Sequence, residues 1–186
     1  MAQHTLSVLV ENSPGVLARV ASLFSRRGYN IDSLAVGPTE NPAISRMTIV
    51  LNLEGHALDQ VSAQLFKLVN VIGIQEMTTD QSRQRELLMV KVKNSPESRA
   101  AIDTLVARFN GEIVDETSAS LTIEAIGASK EIAALVAQLN KYGVKELVQS
   151  GLIAIEKGDV TLVERTLKET GLASSESHSQ TADYQN

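Results

Sequence analysis

The hydrophobic residues near the start of the chain change from strand-like to helix-like spacing. Between Thr5 and Val10 every second residue is apolar, which is the pattern of a strand with one buried face. Over residues 16–24 apolar side chains recur every three or four positions, which predicts an amphipathic helix. Gly28 is expected to end this helix, because glycine readily adopts the left-handed conformation that follows a helix C-terminus.

This alternation continues to about residue 77. It predicts strands at Tyr29–Val36, Arg46–Leu53 and Val71–Met77, and a second helix at Ala57–Val69. A turn at residues 37–38 (Gly-Pro) is expected to close the second strand. The order is therefore βαββαβ, the split βαβ or ferredoxin-like arrangement.

The pattern starts again after a polar stretch at Thr79–Arg85, which predicts a linker. Residues 94–96 (Asn-Ser-Pro) repeat residues 12–14, 82 positions further on, and Gly111 is expected to end the next helix as Gly28 ends the first. The other predicted elements are strands at Glu86–Val92, Glu112–Glu116, Ser120–Ile126 and within Glu146–Ile155, and helices at Pro96–Phe109 and Ser129–Tyr142. The sequence thus predicts an α+β protein of two ferredoxin-like domains.

The domain boundaries follow from this repeat. We expect a first domain at residues 1–79, a second at 80–172, and a tail at 173–186. A short amphipathic helix at Val160–Thr170 is expected to end the second domain. The tail is polar and rich in small residues, which predicts disorder.

Charge and composition narrow the classes of partner. The net charge is −5, which argues against nucleic acid or anionic lipid as the main partner. RNA-binding modules of this topology stack bases on aromatic side chains, whereas the first and third predicted strands carry no aromatic residue. The sequence has no cysteine, which excludes disulfides and thiolate metal sites.

The chain also lacks the marks of a membrane or secreted protein. No apolar run approaches the roughly 18–20 residues that span a bilayer. The N-terminus enters a strand directly, without the features of a signal peptide. We therefore expect a cytoplasmic protein.

No catalytic motif is evident. The histidines His4, His56 and His178 are scattered, and phosphate-binding loops and nucleophile motifs are absent from the sequence. Glu11 and Asp32 are interpreted as surface residues at strand ends rather than as an acid/base pair. The sequence predicts no catalytic residue and no metal site in this chain.

The segment Asn12–Val16 is the one place with distinctive binding chemistry. If Ser13 caps the helix, the N–H groups of Gly15 and Val16 lack partners at the positive end of the helix dipole and can accept a carboxylate. Asn12 and Asn30 add neutral amides, which suit a small zwitterion. Two interpretations stay open, a ligand site and an ordinary helix start, because many such corners bind nothing. Glu97 replaces the glycine in the second copy, so only the first corner is a candidate.

The first 80 residues resemble the ACT domain of the small, regulatory subunit of acetolactate (acetohydroxyacid) synthase. The resemblance rests on residues 6–12 (LSVLVEN), 14–17 (PGVL), 24–34 (FSRRGYNIDSL) and 45–49 (SRMTI). The second half resembles the C-terminal domain of that subunit, most clearly at residues 85–87 and 90–92. Gln149 departs from the family pattern, which has an arginine before the Ser150-Gly151 pair.

The resemblance implies a function. Members of the family bind and activate a catalytic (large) subunit that carries thiamine diphosphate, Mg and FAD, and confer feedback inhibition by valine in branched-chain amino acid biosynthesis. It implies a homodimer of ACT domains joined through strand two. The valine site would then combine Asn12, Gly15 and Val16 of one chain with Asn30 and Ile31 of the partner subunit. An alternative is a free-standing amino-acid-responsive protein without a synthase partner.

Overall fold

The first half of the chain folds into a four-stranded antiparallel sheet with two helices on one face. The computed structural model describes residues 2–54 and 57–169. The elements are β1 (Ala2–Glu11), α1 (Val16–Arg26), β2 (Ile31–Pro38), β3 (Ile44–Leu53), α2 (Ala57–Leu65) and β4 (Val71–Glu76). The strand order is β2-β3-β1-β4, which confirms the predicted βαββαβ arrangement.

The second half repeats this arrangement and adds two elements. Its elements are β5 (Ser82–Lys93), α3 (Pro96–Arg108), β6 (Glu112–Glu116), β7 (Ser120–Gly127), α4 (Ser129–Leu139), β8 (Val144–Gln149), β9 (Ile153–Glu156) and α5 (Leu162–Glu169). The second sheet has the order β6-β7-β5-β8, and β9 pairs with β5 alone. The α+β class with two ferredoxin-like units is therefore confirmed.

Each sheet buries one face beneath its own pair of helices. In the first unit the alternate residues of β1 and β3 point inward and meet apolar residues of α1 and α2. The fully buried side chains of both units are almost all aliphatic, and Phe24 is the one aromatic among the largest of those in the described residues. Burial of one such side chain contributes about 1.5–3 kcal/mol, so these two cores supply the main stabilisation.

The predicted linker at Thr79–Arg85 is wrong over its second half, because β5 begins at Ser82. Residues 82–85 pair with β9, and residues 86–93 of the same strand pair with β7 and β8. Hydrogen bonds rather than apolar contacts hold this stretch: Ser82 Oγ donates to Thr78 O at 2.5 Å and Gln84 Nε2 donates to Met77 O at 2.8 Å. One strand therefore belongs to two sheets.

The last two elements of the described residues, β9 and α5, lie on the outer face of the first sheet. The strand predicted within residues 146–155 is two strands, since the chain leaves β8 and crosses to that face before β9. There Ala154 and Leu162 form a buried cluster with Leu9 and Met77. Residues 152–169, which sequence patterning assigns to the second domain, thus pack against the first sheet.

The internal repeat is visible in backbone conformation. Gly28 ends the first helix with φ +69°, as expected. In the second unit the left-handed residue is Asn110 (φ +51°), not the predicted Gly111, and Asn110 lies 82 positions after Gly28. A Cβ on Gly111 would lie 2.9 Å from the carbonyl oxygen of Glu124, so Gly111 is needed for close packing instead.

Several predicted boundaries shift by a few residues. The second helix ends at Leu65 rather than Val69, and Gly37 and Pro38 belong to β2 rather than to a turn. The final helix is present at Leu162–Glu169. The predicted tail at 173–186, Thr170, His56 and His178 lie outside the described residues.

Candidate functional site

The corner between β1 and α1 is a tight turn rather than the predicted helix start. Gly15 has φ +86° and ψ −9°, and the Val16 N–H approaches the Ser13 carbonyl oxygen at 3.5 Å. Pro14 followed by a glycine at positive φ is the signature of a type II turn. Ser13 therefore does not cap the helix; Gly15 is the N-cap, and Val16 is the first helical residue.

This start leaves the N-terminus of α1 open. No side chain caps it, and its first turn carries no acidic residue. The N–H groups of the second and third helical residues, Leu17 and Ala18, have no acceptor within a helix. A Cβ placed on Gly15 meets no atom of the described residues within 4 Å, so the approach to the backbone is unobstructed. The corner can therefore receive a carboxylate. Its candidate donors include the N–H groups of Leu17 and Ala18, which a cap at Ser13 would not have indicated.

Two asparagines brace this corner. Asn12 Nδ2 donates to Pro42 O at 2.9 Å, and the Asn12 N–H donates to Ala43 O at 2.7 Å, which ties the corner to the loop before β3. On the other side, Asn70 Nδ2 donates to Glu11 Oε2 at 2.6 Å. The side-chain amide nitrogen of Asn12 thus holds the backbone of the loop before β3.

The apolar side chain that the corner exposes is Leu17. Val16 is 3% exposed and belongs to the core, so its contribution to a ligand site would come from its backbone. Leu17 is 44% exposed. An apolar group bound here would therefore meet Leu17 before Val16.

Asn30 and Ile31 lie far from this corner within one chain. Ile31 pairs with Leu51, which pairs with His4 near the start of β1. Asn12 is eight residues further along the chain than His4, a distance of about 26 Å at strand rise. The structure therefore brings Asn12, Gly15 and Val16 together, and places Asn30 and Ile31 at the opposite end of the sheet.

The turn that carries Asn30 is held by local hydrogen bonds. Asn30 Nδ2 donates to Asp32 Oδ1 at 2.8 Å, and Asn52 Nδ2 donates to the other oxygen of that carboxylate. Asp32 is thus fixed at the start of β2 by two neutral amides. The partly buried Ile31 packs against the first core.

The matching corner of the second unit is closed. Ser95 is the N-cap of α3 in an extended conformation, and Pro96 and Glu97 are its first two residues. The pKa of Glu97 is lowered because its carboxylate accepts hydrogen bonds from its own N–H and from the Ser95 hydroxyl. The first turn of α3 therefore carries a carboxylate of the chain itself, whereas the first turn of α1 carries none.

Gln149, which stands where the family pattern has an arginine, contacts a buried carboxylate. Gln149 Nε2 donates to Glu86 Oε2 at 2.5 Å, and Ser129 Oγ donates to the other oxygen at 2.6 Å. Glu86 is 7% exposed, so two neutral donors hold a buried carboxylate at the junction of β5, β8 and α4.

Metal-ligand clusters and membrane-spanning helices are both absent from the described residues. Within residues 2–54 and 57–169, no three His, Cys, Asp or Glu side chains are grouped as metal ligands would be. In the same ranges, no helix is long and apolar enough to cross a membrane.

Comparison with known proteins covers both halves of the chain. Residues 6–73 match the family model described as the AHAS small subunit-like ACT domain. Residues 85–158 match the family model described as the small subunit of acetolactate synthase. Each half is thus similar to the corresponding part of one kind of protein.

Individual relatives agree with these matches. The chain is 51% identical over 155 residues to the acetolactate synthase small subunit of Mycolicibacterium smegmatis, covering 83% of this chain and 91% of the relative. It is 45% identical over 157 residues to a probable acetolactate synthase small subunit of Archaeoglobus fulgidus, covering 84% and 98%. The crystal structure of the acetolactate synthase small subunit from Thermotoga maritima superposes with a TM-score of 0.79 at 33% identity, covering 86% of this chain and 100% of that one.

Proposed function

This chain belongs to the family of acetolactate synthase small subunits, and we propose that it activates the catalytic subunit of that synthase and confers feedback inhibition by valine. In this proposal thiamine diphosphate, Mg and FAD are bound by the catalytic partner. The chain itself contributes a valine site and the contacts that transmit its occupancy.

The open N-terminus of α1 is the observation that carries the proposal. Valine presents a carboxylate, which the uncapped N–H groups and the helix dipole attract. Gly15 lets that carboxylate approach the backbone, and Leu17 offers an apolar surface to the isopropyl group. The closed start of α3 explains why only one of the two repeated corners is proposed as a site.

A dimer through β2 would complete this site. In the described residues β2 has β3 on one side and no strand on the other. If two copies of β2 pair antiparallel about the middle of the strand, Ile31 of the partner subunit lies beside Pro38. Pro38 pairs with Ser45, which pairs with Val10, two residues before Asn12. Asn30 and Ile31 of the partner subunit would thus reach the same end of the joined sheet as the open corner.

A shared site of this kind gives valine a means to regulate. A ligand shifts an equilibrium only if it binds one arrangement of the subunits better than another. Contacts from two chains change whenever the chains move relative to each other. Valine bound across the dimer would therefore favour one arrangement of the two chains. The activity of the catalytic partner would change with that arrangement.

The first test is reconstitution. The purified full chain is added to an acetolactate synthase catalytic subunit, and the rate of acetolactate formation is measured with and without valine. We expect the rate to rise on addition of the chain and to fall again with valine. An unchanged rate and unchanged valine sensitivity would favour a free-standing amino-acid-binding protein instead.

The second test compares Gly15→Asp with Gly15→Asn. Both residues tolerate positive φ better than other side chains do, and they are nearly equal in size, so they differ mainly in charge. We expect Asp to raise the valine concentration for half inhibition at least about tenfold, because its carboxylate repels that of valine. Asn is expected to have a much smaller effect.

The control for these variants is Glu97→Gln, at the matching position of the second unit. It should leave valine inhibition unchanged, while all three variants still activate the partner. Equal loss of inhibition in the Asp and Asn variants would show that shape rather than charge matters at Gly15. Full inhibition in the Asp variant would place the valine site elsewhere.

A further inference from the structure

A groove of about 410 Å³ lies on the outer face of the first sheet, away from α1 and α2. Its floor includes Arg46 and Thr48 of β3, beside the end of β2. The pairing of β5 with β9 forms one wall, where Arg83 lies opposite Ile155 and Arg85 lies opposite Ile153. The groove is therefore built jointly by the first sheet and the segment that covers it.

Most of the lining is apolar. Ile153 and Ile155 are 60% and 62% exposed. These two side chains give the groove an apolar wall that can receive an apolar group. For comparison, an apolar cavity of about 150 Å³ is enough to hold benzene, so this groove has room for a small organic molecule.

The groove is also strongly cationic. Three arginines line it, and no carboxylate does among the described residues around it. None of the three forms an ion pair in the described part of the chain, where Arg85 Nη1 donates only to Gln84 O. The Nε of Arg46 is buried and has no hydrogen-bond partner. A buried guanidinium nitrogen without a partner is costly, which points to a missing acceptor.

We propose that this groove binds a small monocarboxylate with a branched apolar chain. The arginines offer charge-assisted hydrogen bonds to the carboxylate, and Ile153 and Ile155 receive the branched chain. An amino acid fits less well, because its ammonium group would face three guanidinium groups with no carboxylate to balance it. The groove therefore selects the acid that lacks the amino group, whereas the corner at Gly15 is proposed for the zwitterion.

The two sites lie on opposite sides of the first sheet. The corner belongs to the side of α1 and α2, and the groove to the side of β9 and α5. Pairing of two β2 strands extends the sheet in its own plane, so a dimer would lengthen the floor of the groove rather than fill it. Binding in the groove is thus independent of the proposed valine site.

The test uses 3-methylbutanoate, which is valine without its amino group. Binding to the full chain is measured by calorimetry and by amide chemical-shift changes, at constant ionic strength, alongside valine and the neutral 3-methylbutan-1-ol. We expect 3-methylbutanoate to bind at millimolar concentrations and to shift resonances of β2, β3 and β9. The alcohol, which lacks the charge, should bind at least about tenfold more weakly.

Arginine variants locate the binding. Arg83→Gln and Arg85→Gln, both at exposed positions, should each weaken binding about three- to tenfold, and Arg46→Gln at least about tenfold. Arg27→Gln removes an exposed arginine on the other side of the sheet and should have no effect. Because Arg83 and Arg85 are exposed, their variants keep the test valid even if Arg46→Gln does not fold.

Three results would overturn the proposal. These are no binding of 3-methylbutanoate at millimolar concentrations, equal binding of the alcohol, or arginine variants that bind as the parent chain does. Loss of 3-methylbutanoate binding in Gly15→Asp would place the acid in the corner instead. The measurement needs no catalytic subunit, so its outcome is separate from that of the reconstitution test.

Discussion

Gly28 and Asn110 occupy equivalent places in the two halves of the chain, directly after the first helix of each half. Both have positive φ, and each N–H turns back to a carbonyl of the preceding helix: Gly28 to Ser25 at 3.1 Å and Asn110 to Ala107 at 3.2 Å. Glycine and asparagine are the two residues that adopt this conformation most readily. The requirement is thus conformational, and the two halves meet it with different residues.

Substitution of Gly28 should follow this backbone requirement. A Cβ at this position meets no atom of the described residues within 4 Å, so only the positive φ opposes a larger residue. We expect Gly28→Ala to lower the free energy of unfolding by about 1–2 kcal/mol, and Gly28→Asn to lower it by clearly less. Urea denaturation monitored by circular dichroism measures both. Equal losses in the two variants would contradict a purely conformational cause.

At the scale of elements, α1 and α3 begin differently after the same Asn-Ser-Pro sequence. In the first copy Gly15 permits a turn at positive φ, and the helix starts at Val16. In the second copy Glu97 cannot easily adopt that conformation, so the helix starts at Pro96. The carboxylate of Glu97 then lies at the N-terminus of α3. One residue therefore decides whether this end of the helix is open or closed.

The contribution of Glu97 to the stability of α3 should depend on pH. Folding lowers its pKa below the ordinary value of 4.5, so the stabilisation is complete above that value and is lost as the pH falls through the lower folded-state pKa. We expect Glu97→Gln to reduce stability near pH 7, with the difference from the parent chain shrinking below about pH 4. Urea denaturation across this range measures it. A difference that stays constant from about pH 7 to about pH 3 would contradict this role of the Glu97 carboxylate.

The elements with clear hydrophobic periodicity were predictable, and those held by polar contacts were not. Leu6, Val8 and Val10 mark β1 plainly, since alternate side chains enter the core. The start of β5 is a strand because Ser82 and Gln84 hydrogen-bond to backbone carbonyls, and polar side chains leave no hydrophobic alternation to detect. The sequence does not fix the start of α1, because Pro14 suits both a helix and a turn, and only the φ of Gly15 separates them.

At the scale of the whole molecule, β5 and the crossing at residues 150–152 join the two units. β5 is a single strand of 12 residues that pairs with β9 at one end and with β7 and β8 at the other. At the crossing, the Leu152 N–H donates to Ser33 Oγ at 2.8 Å. Sequence periodicity could not reveal this junction, because its contacts join residues far apart in the chain, 119 positions in the case of Leu152 and Ser33.

Gly151 should be intolerant of any side chain. A Cβ there would overlap the carbonyl group of Leu34, and the backbone of β2 cannot move away without breaking its pairing with β3. We expect Gly151→Ala to lower the free energy of unfolding by about 1–3 kcal/mol, and to speed amide exchange in both β2 and β9. Gly37→Ala is the control, since a Cβ on Gly37 meets no atom of the described residues within 4 Å. An unperturbed Gly151→Ala variant would mean that the crossing tolerates separation from β2.

Because β9 and α5 bury the outer face of the first sheet, that face is completed only late in translation. Leu9 and Met77 leave the exit tunnel early, but Ala154 and Leu162, which bury them, are added more than 75 residues after Met77. At about 5–20 residues per second, that interval lasts roughly 4–15 s. The half of the protein that is translated first is thus completed last, and a nascent chain that stops before α5 exposes an apolar face on its N-terminal sheet.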